Sequence, residues 1–253
     1  MSDPKKTKES YLKACSDLNH QPIKEILFIL DQSEVCHELE PINDFQLLLH
    51  GNKRNERNEM YRKRLDHQDT SVLCQALQGN SFVTCLDLGY NVIGDEGAKL
   101  IGNFLKDPKV FLKKLVLSYN DIGHDGCQDI AVGLQMNETL RSLALDGNKV
   151  GRAGGLAIAG ALQVNYTLEE LDMNNTDMNN QALVAFTTVL KANGTLKKID
   201  LSRPLIESEQ EETTVHFGRM LEVNSRLEEL HLSKHVMKNF GVERLMEHMR
   251  DNR

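Results

Sequence analysis

One phrase is written three times between Val83 and Val150: VTCLDLGYNVIG, LKKLVLSYNDIG and LRSLALDGNKVG. With the asparagines aligned, Val83, Leu86, Leu88, Asn91, Ile93 and Gly94 match Leu112, Leu115, Leu117, Asn120, Ile122 and Gly123. The third copy supplies Leu140, Leu143, Leu145, Asn148, Val150 and Gly151. The copies start 29 and then 28 residues apart. No unit of this size buries its own leucines, so a chain built this way must stack its units into one continuous core.

Each phrase predicts a short strand followed by a helix. Leucines spaced two and three apart point one way along the strand, and the intervening residues point the other. Ala98, Ile101, Gly102 and Leu105 then recur as Cys127, Ile130, Ala131 and Leu134, and as Gly155, Ile158, Ala159 and Leu162. That spacing makes one inward helical face, with small residues where neighbouring helices come close. A helix is wider than a strand, so the stack is expected to curve, with the parallel sheet concave and the helices convex. The phrase asparagine faces a turn whose backbone lacks ladder partners, which its amide can satisfy on both sides. Most helices are followed by a second asparagine (Asn80, Asn137, Asn165, Asn193, Asn224), three residues before the next strand phrase.

The second half keeps the leucines and loses the phrase asparagine. Thr176, Pro204 and His235 stand in its place, which predicts a less regular C-terminal half. Residues 1–41 fall outside the period. Tyr11, Leu12, Cys15 and Leu18, then Ile23, Ile26, Leu27 and Leu30, form two amphipathic patterns, expected to cap the first repeat. Residues 42–253 are read as an array of about seven repeats, broken by a basic insertion at 53–64. It carries Lys53, Arg54, Arg57, Arg62, Lys63 and Arg64, and Leu65 is expected to resume the repeat.

Lys and Arg total 30 against 37 Asp and Glu, a net of −7, which argues against a surface generally committed to nucleic acid or anionic membrane. The five cysteines show no CxxC pair, so neither a zinc site nor a disulfide frame is indicated. Three of the four Asn-x-Thr sequons occupy one equivalent turn, which the repeat explains better than glycosylation. With no leader-like or membrane-spanning stretch, an intracellular setting is expected, in cytoplasm or nucleus.

The phrase and its 28/29 alternation resemble the ribonuclease-inhibitor class of leucine-rich repeats. That resemblance implies a curved α/β horseshoe and a non-enzymatic binding protein. A narrower resemblance, to a single protein of this repeat type, is carried by DLNHQP, SVLCQALQGN, FVTCLDLGYNVIGDEGA and RPLIESEQEETTVHFGRML. It implies an intracellular adaptor linked to nucleolar ribosome production or to ciliary radial spokes. It also implies an array continuing past the point that matches Arg253, so that this chain is a short form or a fragment.

The outward strand positions should line up in columns on the concave face. One column is Asp87, Val116, Ala144, Asp172, Asp200 and His231; the next is Gly89, Ser118, Asp146, Asn174, Ser202 and Ser233. Beside them run Tyr90, Tyr119, Gly147, Asn175, Arg203 and Lys234. Asp87, Tyr90, Tyr119, Asp146, Asp172, Asn174 and Asp200 are the candidate contacts, suited to a protein partner with a basic patch. The plain alternative is that these positions are polar because they face water. The VGRAGG glycines lack the Lys-Ser/Thr of a phosphate loop, and His231 and His235 lie on strand and turn rather than on one helix face. No nucleophile–base pairing can be placed, and no cofactor or metal is implied. The alternatives to a protein-binding scaffold are a regulator of a small GTPase and an RNA contact through Arg54, Arg57, Arg62, Lys63 and Arg64.

Overall fold

The computed structural model describes residues 3–39, 44–51, 63–205 and 212–250. Two helices come first, α1 (Pro4–Asp17) and α2 (Lys24–Leu39), followed by β1 (Phe45–Leu48) and α3 (His67–Ala76). The chain then alternates strictly: β2 (Val83–Asp87), α4 (Gly94–Leu105), β3 (Lys114–Val116), α5 (His124–Met136), β4 (Ser142–Ala144) and α6 (Gly151–Leu162). It ends with β5 (Glu170–Asp172), α7 (Asn180–Leu190), β6 (Lys198–Asp200), α8 (Glu212–Val223), β7 (Glu229–His231) and α9 (Asn239–Arg250). The strands form one parallel sheet in sequence order, β1 to β7.

The register follows the repeat. Leu86, Leu115, Leu143, Leu171, Ile199 and Leu230 are successive partners, so the strand leucines make one inward row. From Leu86 to Ile199 these side chains are at most 3% exposed. Each would cost about 2–5 kcal/mol on truncation to alanine. Small residues let the helices touch: a Cβ on Gly102 would fall 2.3 Å from the Asp129 carbonyl oxygen, and one on Gly133 would fall 2.4 Å from that of Gly102.

Buried asparagines close turns at both ends of the repeats, at Asn91, Asn120 and Asn148 after the strands and in a second series after the helices. Asn148 shows the bonding at the strand exit: its Oδ1 accepts from the amides of Asn120 (2.9 Å) and Ile122 (3.1 Å). Its Nδ2 donates to the carbonyls of Leu117 and Leu145, each at 2.8 Å. Asn91 and Asn120 bond in the same manner, each reaching a carbonyl of the repeat before. The second series, at the helix exits, is a ladder of its own. Asn165 accepts from the amides of Thr167 and Leu168 and donates to the carbonyls of Leu134 and Asn137. Asn137, Asn193 and Asn224 do likewise, each at 5% exposure. The threonine of each of the three sequons in this turn, at 139, 167 and 195, turns its hydroxyl onto the same asparagine oxygen.

The loss of the phrase asparagine has less effect than its three replacements suggest. At 176 the threonine hydroxyl donates only within its own repeat, to the Met173 carbonyl at 2.6 Å. At 235, however, His Nε2 lies 2.9 Å from the Leu201 carbonyl, the bond to the preceding repeat that an asparagine amide makes elsewhere. Burial pushes the His235 pKa down, which favours the neutral ring with its proton on Nε2. Pairing of β6 with β7 keeps the register of the earlier strands.

The first two helices share the array's core through Tyr11, Ala14, Cys15, Ile23, Ile26 and Leu30. Both run further than their apolar patterns indicate: α1 starts at an Asp3 cap that accepts from the Lys6 amide, ahead of the first apolar repeat, and α2 continues to Leu39. Asn80, first of the helix-exit series, donates to the Thr7 hydroxyl of α1 at 2.8 Å. The chain re-enters the described region at Lys63. Leu65 is fully buried there, and its amide donates to Asn91 Oδ1 at 2.9 Å.

Candidate functional site

The sheet face turned away from the helices carries the outward columns in register. Asp87, Val116, Ala144, Asp172, Asp200 and His231 are successive strand partners. The three aspartates of this column also do a local task. Asp87, Asp172 and Asp200 each accept, through Oδ1, the amide two residues on, at 2.8–2.9 Å. That bond closes the strand exit and fixes the carboxylate against the sheet. The other Asp87 oxygen lies 3.5 Å from His50 Nδ1. His50 was not among the sequence candidates; its signal was its place in the LLLHGN stretch, at the position of Gly89.

Asp146, one column over, accepts a short hydrogen bond from the Ser118 hydroxyl. A groove of about 430 Å³ runs across β3 to β6, with Val116 and Ala144 as its floor and Asp146, Asp172 and Asp200 on its walls. Lys114 and Lys198 stand at its rim, the latter 2.7 Å from Glu229. Burial pushes the Asp172 pKa up to about 6, and the nearby Asp146 and Asp200 charges add to the rise. Asp146 is raised for the same reasons, burial first, then Asp200 and Asp87, against the Ser118 hydrogen bond. These carboxylates therefore feel one another. Asn174 lies beside them in the column of Asp146, its amide on Asp172.

Tyr90 and Tyr119 are stacked, with ring centroids 4.8 Å apart and planes 13° from parallel. They belong to a column with a conformation of its own. Tyr90, Tyr119, Gly147, Asn175, Arg203 and Lys234 all have φ between 54° and 69°. Glycine and asparagine take that left-handed region readily; tyrosine does so at a cost of about 1 kcal/mol or more. Tyr119 is 42% exposed. The sequence candidates thus fall into two adjoining groups, a tyrosine shelf at the turn edge and an acidic groove across the strands.

Of the basic insertion, Arg54, Arg57 and Arg62 lie outside the described residues. Arg64 donates from Nη2 to the Asn91 carbonyl at 2.8 Å, so its guanidinium is engaged in closing a repeat turn. Cys74, Cys85 and Cys127 lie in the core or pack against it. Cys127 is fully buried and Cys85 is 7% exposed, while Cys74 packs against the core; burial pushes the thiols of Cys74 and Cys127 up to about 12. Such thiols are protonated at neutral pH and poor nucleophiles. Among the described residues no group of three or more His, Cys, Asp or Glu side chains could hold a metal ion, and no helix is long and apolar enough to cross a membrane.

The Leucine Rich repeat family model matches residues 79–102, 110–131 and 137–159, each span running from one strand phrase into its helix. This chain is a leucine-rich-repeat solenoid. Among curated proteins the leucine-rich-repeat chain is similar to leucine-rich repeat-containing protein 34 of Mus musculus, 56% identical over 45 residues, or 18% of this chain and 11% of that protein. The Homo sapiens protein of the same name is also 56% identical over 45 residues, 10% of its length. This is the single protein behind the narrower resemblance in the sequence. NACHT, LRR and PYD domains-containing protein 2 of Homo sapiens is 37% identical over 73 residues, 29% of this chain and 7% of that protein. The chain therefore matches only a small part of each relative's length. Among solved structures, Leiomodin-1 Actin-Binding Site 2 aligns with a TM-score of 0.49 at 18% identity, covering 61% of this chain and 86% of that one.

Proposed function

We propose that this leucine-rich-repeat solenoid is a non-enzymatic adaptor that binds a protein partner on the concave sheet face, through the tyrosine shelf and the acidic groove. The observation that carries the reading is the stacked Tyr90–Tyr119 pair, kept at positive φ, with Tyr119 open to solvent and its amide bonded to the Asp146 carbonyl. Nothing in the core requires tyrosine there, since Asn175 fills the equivalent turn two repeats later with the same backbone. A rigid aromatic pair next to carboxylates suits a partner surface that carries cationic side chains. The three helices α4 to α6 behind the face hold it still through close backbone contacts, so the site is presented on a preorganised platform.

A photo-crosslinking amino acid placed at Tyr119, and separately at Val132 on α5, tests the reading in extract from cells that express the protein. Adducts that form at position 119, are outcompeted by added unlabelled protein, and are missing at 132 support the concave face. Adducts confined to position 132 overturn it.

A further inference from the structure

We propose that the groove across β3 to β6 seats an arginine side chain from an extended segment of the partner, with the guanidinium between Asp146, Asp172 and Asp200 and the aliphatic stem on Val116 and Ala144. This rests on the concave-face reading and names the chemistry that the face selects.

The groove exists because of where the short side chains fall. In a column that is otherwise Asp87, Asp172, Asp200 and His231, the two central positions are Val116 and Ala144. Asp172 and Asp200 therefore rise along one side of an apolar floor, and Asp146 stands at its end, two residues past Ala144. Each wall aspartate has one oxygen committed within the chain, Asp146 to the Ser118 hydroxyl, Asp172 to the Asn174 amide and Asp200 to the Ser202 amide. Those bonds fix the carboxylates against the sheet, Asp172 and Asp200 on neighbouring strands about 4.8 Å apart, and leave the remaining oxygens for an incoming donor.

Burial first, and then the charge of Asp200, raise the pKa of Asp146 and of Asp172, so a cation placed among them relieves repulsion that the fold has already accepted. Which cation fits is decided by the rest of the site. Among the described residues no group of three acidic, His or Cys side chains is close enough to chelate a metal. A lysine ammonium is a compact, strongly hydrated charge, and Lys114 and Lys198 already stand at the rim. A guanidinium is planar, weakly hydrated and carries five donors, so it can bridge carboxylates on neighbouring strands while its stem covers the apolar floor. Tyr119, at the turn edge of the same repeat as Val116, offers the segment an aromatic surface beyond the seat.

The test titrates the isotopically labelled full chain with Nα-acetyl-arginine amide, Nα-acetyl-lysine amide or magnesium chloride, and follows backbone amide shifts by NMR. Saturable shifts centred on Val116, Ala144 and Asn174 are expected with the arginine probe, at an affinity about fivefold or more above that of the lysine probe, and no saturation with magnesium. The double variant Asp146→Asn/Asp172→Asn should lose about tenfold in arginine affinity. So should Ala144→Leu, which fills the floor without changing charge. Equal response to arginine and lysine, shifts centred elsewhere, or unchanged affinity in both variants overturns the seat. The crosslink at position 119 separates the two readings: partner capture that persists unaltered in both groove variants retains the concave face and overturns the arginine seat, and capture lost together with arginine binding supports both.

Discussion

The ring of Tyr119 lies against Gly147: a Cβ built on that glycine would fall 2.5 Å from Tyr119 Cε1. The glycine is held at φ +69° and the tyrosine at +54°, one repeat apart in the same column. The tyrosine shelf is therefore a three-step stair, Tyr90 on Tyr119 on Gly147; the backbone there favours glycine, and the ring above it leaves no room for a side chain.

Gly147→Ala is expected to cost about 1–3 kcal/mol, from left-handed strain together with displacement of the ring. In a Tyr119→Asn background only the strain should remain, and the cost should fall by about 0.5 kcal/mol or more. Urea denaturation of the four proteins in this double-mutant cycle measures the difference. Equal costs in the two backgrounds would show that the ring does not fix the residue at 147.

The two asparagine ladders should be of comparable energetic weight, although only one lies within the repeated phrase. Asn148→Ala strands the amides of Asn120 and Ile122, and Asn165→Ala those of Thr167 and Leu168. Each unpaired buried group costs about 1–3 kcal/mol, so each variant should lose roughly 2–5 kcal/mol, and Thr176→Ala, with one hydroxyl bond, about 1 kcal/mol. Chemical denaturation ranks the three. A small loss at Asn165 would show that its bonds are replaced by water.

His235 should reveal itself through pH. Its folded pKa is depressed, so the neutral ring's contribution is present above the unfolded value near 6.5 and is lost as pH falls through the folded value. His235→Asn restores the residue found at the other strand exits. The variant should match the wild type near pH 8 and be the more stable protein near pH 5 in thermal melts. A stability gap that does not change with pH counts against the assignment.

Asp172 runs the other way. Its folded pKa is raised to about 6 by burial and by Asp146 and Asp200, so the stability tied to its proton is complete below the unfolded value near 3.9 and disappears as pH climbs through about 6. Asp172→Asn, which cannot ionise, should melt above the wild type at pH 7.5, and the two melting temperatures should converge by about pH 4.5. Parallel curves across that range would mean that Asp172 is unstrained in its ionised form.

The repeat period made the strand order, the register and the inward leucine row legible before any coordinates, because offsets of 29 and then 28 residues leave no other way to align Leu86, Leu115 and Leu143. The columns of the outer face followed from the same offset. What the offset does not encode is the backbone sign at Tyr90 and Tyr119, since nothing about a tyrosine signals positive φ; only Gly147 and Asn175 in register with them hint at it. The second ladder was visible as a period but not as a set of bonds, because Asn165 looks like an ordinary turn residue until the carbonyl of Leu134 is seen beneath it. His235 read as a loss for a related reason: an imidazole can replace an amide only when its ring reaches the carbonyl of the previous repeat.

In both ladders the side-chain amide, or the imidazole at 235, reaches back toward the N-terminus. Asn91 donates to Leu49, Asn120 to Leu88, Asn165 to Leu134, Asn224 to Leu190 and His235 to Leu201, while Asn80 reaches the Thr7 hydroxyl of α1. Within these ladders the clasp between two units thus belongs to the later one. During synthesis on a ribosome, where the N-terminal part emerges first, every newly exposed unit arrives with the group that locks it onto structure already made. No ladder bond to the preceding unit waits for sequence still inside the exit tunnel, and α1 gives the first clasp something to hold.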